Sequence, residues 1–250
     1  GICGQAIGYY GGAVSVTNCT NELNSTEGYC AGIVARNGGE EKIRDTSDGS
    51  SLVISGCTNN GNFTGDYSGG ICGHACFQKN SNTNNEIFNC HNTGTISGNY
   101  SGGICASEVA KNEGKVIIFN CYNTGNGDNG DSGQGGITGG YSKAIEIYNC
   151  WSNGSDLTDA FVGSVNQNST VTIKNCYSIG NSPIGVGITD DSNTFNTASW
   201  DDTYAYYTIG KDTGDSGYDD IRWYNDINST TDKWLIGITA SGETTEPGFN

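Results

Sequence analysis

Residues 86–106 read EIFNCHNTGTISGNYSGGICA, and much of the chain repeats that text with variations. An apolar strand ending in Asn-Cys recurs as VSVTNC (14–19), LVISGC (52–57), EIFNC (86–90), VIIFNC (116–121), IEIYNC (145–150) and VTIKNC (171–176). A second phrase recurs as GIC (1–3), AGIV (31–34), GGIC (69–72), GGIC (102–105), GGIT (135–138), AFVG (160–163) and VGIT (186–189). Self-similarity on this scale is the mark of a repeat architecture, in which each unit buries its apolar face only against the next.

Counting back from the repeated Cys separates an inner face from an outer one. Five residues before it stand Val14, Leu52, Val116, Ile145 and Val171, with Asn85 the exception. Three residues before it stand Val16, Ile54, Ile87, Ile118, Ile147 and Ile173. Positions two apart share one face of a strand, so this is a half-buried β-strand that recurs six times. The alternating positions Thr17, Ser55, Phe88, Phe119, Tyr148 and Lys174 are mixed and should face outward. By the same parity Asn18, Asn89, Asn120, Asn149 and Asn175, just before the Cys, should point inward at a corner, where identical amides can bond one another as a ladder.

A polar Gly-containing stretch follows the Cys, then a second short strand, another corner and the Gly-Ile strand. The expected fold is all-β: a parallel β-helix (β-solenoid) of about six three-strand coils over residues 1–189. Residues 190–250 leave the repeat and are rich in Trp, Tyr and Asp. They read as a C-terminal cap or adjoining unit that covers the last coil. Trp200, Trp223 and Trp234 are its candidate ligand aromatics.

The repeated text resembles the GLUG repeat of bacterial and archaeal surface proteins. Gly69–Gly73 and Gly102–Ala106 are similar to its Gly-Gly-Leu-Val-Gly strand, with Ile-Cys in place of Leu-Val. Asn120-Cys121-Tyr122 and Asn175-Cys176-Tyr177 are similar to its Asn-Cys-Tyr unit, and Thr93–Gly98 to its Thr-Gly turn-strand. The resemblance covers about residues 1–189 and implies an adhesin, an envelope protein or the stalk of a surface enzyme. It brings no catalytic residues with it.

Composition narrows the function. With 250 residues, 11 Lys and Arg against 27 Asp and Glu, and a formal charge of −16, the chain is a poor partner for nucleic acid. No apolar run is long enough to span a bilayer. Eleven cysteines without a CxxC pair, together with seven Asn-X-Ser/Thr sequons, point to an extracellular or cell-surface glycoprotein. Asn24, Asn62, Asn99, Asn153, Asn168 and Asn228 fall in turns or loops and are the candidate glycan sites. Asn18, on the inward corner column, should be buried and unmodified.

Cys19, Cys57, Cys90, Cys121, Cys150 and Cys176 should stack in one column, and Cys3, Cys72 and Cys105 in another. Stacked Cα atoms about 4.8 Å apart lie within reach of a disulfide, although parallel side chains do not face each other. A ladder of reduced thiols and an inter-coil bridge therefore both stand open, with Cys72–Cys105 the candidate pair. Cys72, His74 and Cys76 alternate along the chain and could share a face suited to a soft metal, yet no metal is expected. No cofactor is expected either. Calcium is possible at the acidic turn containing Asp128 and Asp131, and Asp201-Asp202 and Asp219-Asp220 are further acidic candidates.

Catalysis has little footing. The only histidines are His74 and His91, and the outward strand positions carry only Glu86, Glu146 and Lys174 as charges. The Thr residues form no regular ice-binding array. Two functions remain. One is a structural protein that assembles with copies of itself, head to tail or laterally, into a fibre, sheath or envelope layer. The other is an adhesin-type module that recognises glycans or host protein through its C-terminal region. Gly1 lies inside a Gly-Ile-Cys unit, which suggests a piece of something longer with an open first rung.

Overall fold

A computed structural model describes residues 1–4, 7, 13–38, 51–77, 85–111, 114–128, 132–148, 150–152, 154, 156–157, 159, 161–174, 177–178, 234–235 and 248–249. Among the described residues every regular element is a β-strand. Among the described residues no helix is long and apolar enough to cross a membrane.

The strands that end in Asn-Cys are β1 (Ala13–Thr17), β3 (Ser51–Ser55), β5 (Glu86–Phe88), β7 (Val116–Phe119), β9 (Ser142–Tyr148) and β11 (Val165–Lys174). They form one six-stranded parallel sheet in the order β1-β3-β5-β7-β9-β11. The two-residue strands that follow each Cys are β2 (Thr20–Asn21), β4 (Thr58–Asn59), β6 (His91–Asn92), β8 (Tyr122–Asn123), β10 (Trp151–Ser152) and β12 (Tyr177–Ser178). These form a second six-stranded parallel sheet whose strands stand in the same relative order. Strands β13 (Trp234–Leu235) and β14 (Gly248–Phe249) pair antiparallel.

Register follows the sequence alignment residue for residue. Val16 pairs with Ile54, Ile54 with Ile87, Ile87 with Ile118, Ile118 with Ile147, and Ile147 with Ile173. All six side chains are buried. Each is worth roughly 1.5–3 kcal/mol by burial, and a slip of one residue would turn the whole column to solvent. Asn85, the exception in the neighbouring column, is 1% exposed. Its Oδ1 accepts the Leu52 N–H at 3.1 Å and its Nδ2 donates to the Lys115 carbonyl at 3.1 Å. The amide thus replaces an apolar contact with hydrogen bonds to the units on either side.

The corner asparagines are explained by backbone and not by a ladder. Asn18, Asn89 and Asn120 have φ of 53°, 52° and 51°, and Gly56, which breaks the series, has φ 61°. Asn and Gly are the residues that enter this left-handed region at least cost. Side-chain burial follows no column: Asn18 is exposed, Asn89 intermediate and Asn120 buried. Asn18 is therefore not buried, and the described corner asparagines do not form the common inward column expected from parity. Parity fails because a left-handed residue turns the chain and ends the strand alternation. Asn149 and Asn175 lie outside the described residues.

The Gly-Ile phrase also departs from the expected strand. It is a bend flanked by single parallel bridges. One row of bridges joins Ala31, Gly69, Gly102, Gly135 and Asp159; the other joins Cys3, Val34, Cys72, Cys105, Thr138 and Val162. The Ile between them still points inward: Ile33, Ile71, Ile104 and Ile137 are fully buried.

Candidate functional site

The bend is packed on a column of asparagines that stands two residues after the repeated Cys. Asn21 Nδ2 donates to Asn59 Oδ1 at 2.7 Å, Asn59 Nδ2 to Asn92 Oδ1 at 2.6 Å, and Asn92 Nδ2 to Asn123 Oδ1 at 2.7 Å. Each Nδ2 also donates to a carbonyl two residues on: Leu23, Gly61, Gly94 and Gly125 in turn. All four side chains are buried, so each amide must be satisfied internally, and the column does this. The second glycines of the pairs at 69–70 and 102–103 lie against it. A Cβ on Gly70 would stand 2.6 Å from Asn92 Oδ1, and one on Gly103 would stand 2.5 Å from Asn123 Oδ1. A textual sign of the column was present in the Thr-Asn, Thr-Asn, His-Asn and Tyr-Asn pairs of β2, β4, β6 and β8.

The cysteines divide into a column and a bonded pair. Cys57, Cys90, Cys121 and Cys150 are buried and reduced, and Cys19, in the first unit, is half-buried. The thiols of Cys57, Cys90 and Cys121 donate to the carbonyl two residues earlier, at 3.3, 3.2 and 3.3 Å. The hydrogen bond to Cys90 and then burial push the Cys57 thiol up, and burial does the same to Cys105 and Cys121. Cys176 lies outside the described residues. Cys72 is bonded to Cys76. The expected Cys72–Cys105 bridge is absent: the two residues are parallel partners, and Cys105 is reduced. Parallel neighbours point the same way, whereas the turn over 74–77 brings Cys76 back to Cys72. The disulfide also consumes both thiolates that a metal beside His74 would need. In the native protein a thiol reagent such as DTNB should therefore titrate no more described cysteines than Cys3, Cys19 and Cys30. The five buried thiols should react only after unfolding, which counting released chromophore before and after urea will check.

The surface feature with most chemistry on it is an aromatic stack at the corner before the Gly-Ile bend. Tyr29 and Tyr67 stack with centroids 4.9 Å apart, Tyr67 and Tyr100 at 5.3 Å, and Tyr100 and Tyr141 at 4.8 Å. His74 sits edge-on to Tyr29 and Tyr67, and the Arg36 guanidinium lies 5.1 Å from the Tyr29 ring centre. Burial lowers the His74 pKa to about 4, so its 3.5 Å contact with Glu108 is made by a neutral ring near pH 7. Glu108 also pairs with Lys111. On the outward faces of the sheets, Phe88 stacks on Phe119 at 4.9 Å and His91 on Tyr122 at 4.7 Å.

Sequon residues Asn24 and Asn62 stand at the same place in successive units, whereas Asn99 aligns with Asp66 and Ser132. Asn24 Oδ1 accepts the Asn62 N–H at 2.8 Å, and Asn62 Oδ1 accepts the Thr95 N–H at 2.8 Å. Asn99 Oδ1 accepts the Ser132 N–H, while its Nδ2 donates to Asp66 at 3.2 Å. Asn24 and Asn62 are exposed and Asn99 half-buried. Asn168 belongs to β11 and not to a loop, within a stretch where the register shifts between Val165 and Thr170. Asn153, Asn228, Trp200, Trp223 and Asp131 lie outside the described residues, as do Asp201-Asp202 and Asp219-Asp220. The backbone of Trp234 belongs to β13. Asp128 is exposed and accepts from Gln134 Nε2 at 3.2 Å.

Asp159 was not anticipated. It stands in the glycine row of bridges, is 3% exposed, and its Oδ2 meets no hydrogen-bond donor among the described residues. Burial raises its pKa to about 7. The folded protein therefore holds this proton more tightly than the unfolded chain. The stability it contributes is complete below about pH 4 and is lost as pH rises through about 7. Asp159→Asn should be more stable than the parent above pH 8, by about 2 kcal/mol, and nearly equal to it at pH 4. Urea midpoints at the two pH values will check this.

Among the described residues no group of three His, Cys, Asp or Glu side chains could hold a metal ion. No family model, curated protein or solved structure matches the chain.

Proposed function

We propose that the chain is a β-solenoid of about six coils that serves as a structural scaffold of an extracellular or cell-surface layer, and not a catalyst. One observation carries this reading: the repeated residues are spent on joining one unit to the next. The Ile column, the Asn column and the close-packed Gly70 and Gly103 all hold units in parallel register. Chains built this way stack one unit on another and offer long surfaces for assembly with copies of themselves. The likeness to GLUG-repeat surface proteins agrees with the proposal. Exposed Asn24 and Asn62 are its best glycan acceptors, because their structural hydrogen bonds use the amide oxygen and not the nitrogen that carries a sugar.

Negative-stain microscopy of native material tests the assembly, with intact mass measured before and after deglycosylation. Filaments or sheets carrying a glycan mass are expected. Dispersed monomers that a glycan array retains, and that Trp200→Ala releases, would instead make the chain a binding module.

A further inference from the structure

The tyrosine stack contains one irregular step, and its irregularity has chemical consequences. Tyr29, Tyr67 and Tyr100 occupy the same place in successive units, three residues before the second glycine of the bend. The next unit has Gly133 at that place, with φ +70°, and a Cβ there would stand 2.7 Å from Cδ1 of Tyr100. Gly140 is similarly placed, its Cβ position 2.9 Å from the same atom. The two glycines leave room for the Tyr100 ring. Tyr141, from a different corner, closes over it with φ +59°.

This fourth ring does not lie flat. Tyr29 and Tyr67 are within 8° of parallel, but Tyr100 and Tyr141 are inclined by 37°. Their hydroxyls are 3.2 Å apart, closer than their 4.8 Å ring centres, with the Tyr141 hydroxyl donating to that of Tyr100. The hydroxyl ends therefore lean together, and the ring carbons flanking each hydroxyl lean with them. Tyr141 is 38% exposed.

We propose that Tyr100 and Tyr141 are a dityrosine site: a peroxidase-class oxidant acting with hydrogen peroxide joins them by an ortho carbon–carbon bond. Each phenol gives up one electron to the oxidant and its hydroxyl proton to water, leaving two neighbouring phenoxyl radicals. The radicals couple carbon to carbon. Each ring then moves its displaced ortho hydrogen, as a proton, back to its oxygen. The balance is two tyrosines and one peroxide to one dityrosine and two waters, with both hydroxyls retained. The stacked rings of Tyr67 and Tyr29 let a vacancy formed further along reach the pair. The product is a covalent staple between two successive units. The site stands on the geometry of the pair and does not depend on the scaffold reading.

The test treats the intact protein with a haem peroxidase and limiting hydrogen peroxide, followed by mass spectrometry and fluorescence. The expected result is monomer lighter by two hydrogens, dityrosine fluorescence, and a proteolytic peptide pair linked through Tyr100 and Tyr141. Tyr141→Phe should lose more than tenfold of that product, while Tyr29→Phe should keep it. Both variants retain the ring, so matching circular dichroism will exclude misfolding. Unmodified protein, a link at another tyrosine pair, or undiminished product in Tyr141→Phe would overturn the assignment.

Discussion

Gly70→Ala is expected to lose at least about 4 kcal/mol of stability, or to fail to fold at 37 °C. The added Cβ would press on the Gly103 carbonyl of the next unit and stand 2.6 Å from Asn92 Oδ1. Neither atom can retreat. The first is backbone, and the second accepts the Asn59 amide at 2.6 Å in a fully buried column. Gly70 is not in the left-handed region, so the expected loss measures space and not conformational freedom. Gly4→Ala is the matched control: among the described residues nothing lies within 4 Å of its Cβ position, and the change should stay within about 0.5 kcal/mol. Urea unfolding followed by circular dichroism compares the two. Equal midpoints would contradict the packing of the bend on the asparagine column.

Asn92→Ala is the second large effect. It removes the acceptor of the Asn59 amide, the donor to Asn123 and the donor to the Gly94 carbonyl. Each buried partner left without its bond costs about 1–3 kcal/mol, giving roughly 3–5 kcal/mol in all, because Asn59 and Asn123 retain their bonds to Gly61 and Gly125. Asn21, at the end of the column, donates to Asn59 and to Leu23 and, among the described residues, receives no bond from a further asparagine. Asn21→Ala should therefore cost only about 1–2 kcal/mol. A position-independent cost in urea titrations would mean that the asparagines act singly and not as a column.

The strand register was legible in the sequence because period-two burial leaves a direct mark. Ile at the third position before each Cys is the residue that meets its counterpart in the next unit. The corners were harder to read. An Asn repeated before Cys looks like a side-chain ladder, yet φ near +50° selects it through the backbone, as Gly56 in the same place makes plain. The true ladder, two residues after the Cys, was hidden because its strands are two residues long and show no periodicity. The disulfide was misassigned for a related reason. Residues at the same place in successive units are adjacent yet point the same way, whereas the 74–77 turn makes a short-range partner of Cys76. The Tyr100–Tyr141 contact lay beyond any alignment of the repeat, since it joins residues from different places in their units.

A double-mutant cycle on Asn59 and Asn92 tests most directly the claim that buried side chains tie each unit to the next. Asn59→Ala, Asn92→Ala and the double variant are unfolded in urea at one pH. The 2.6 Å bond between the two amides predicts a coupling energy of about 1–2 kcal/mol, with the double variant less destabilised than the sum of the singles. Additivity within about 0.5 kcal/mol would contradict it.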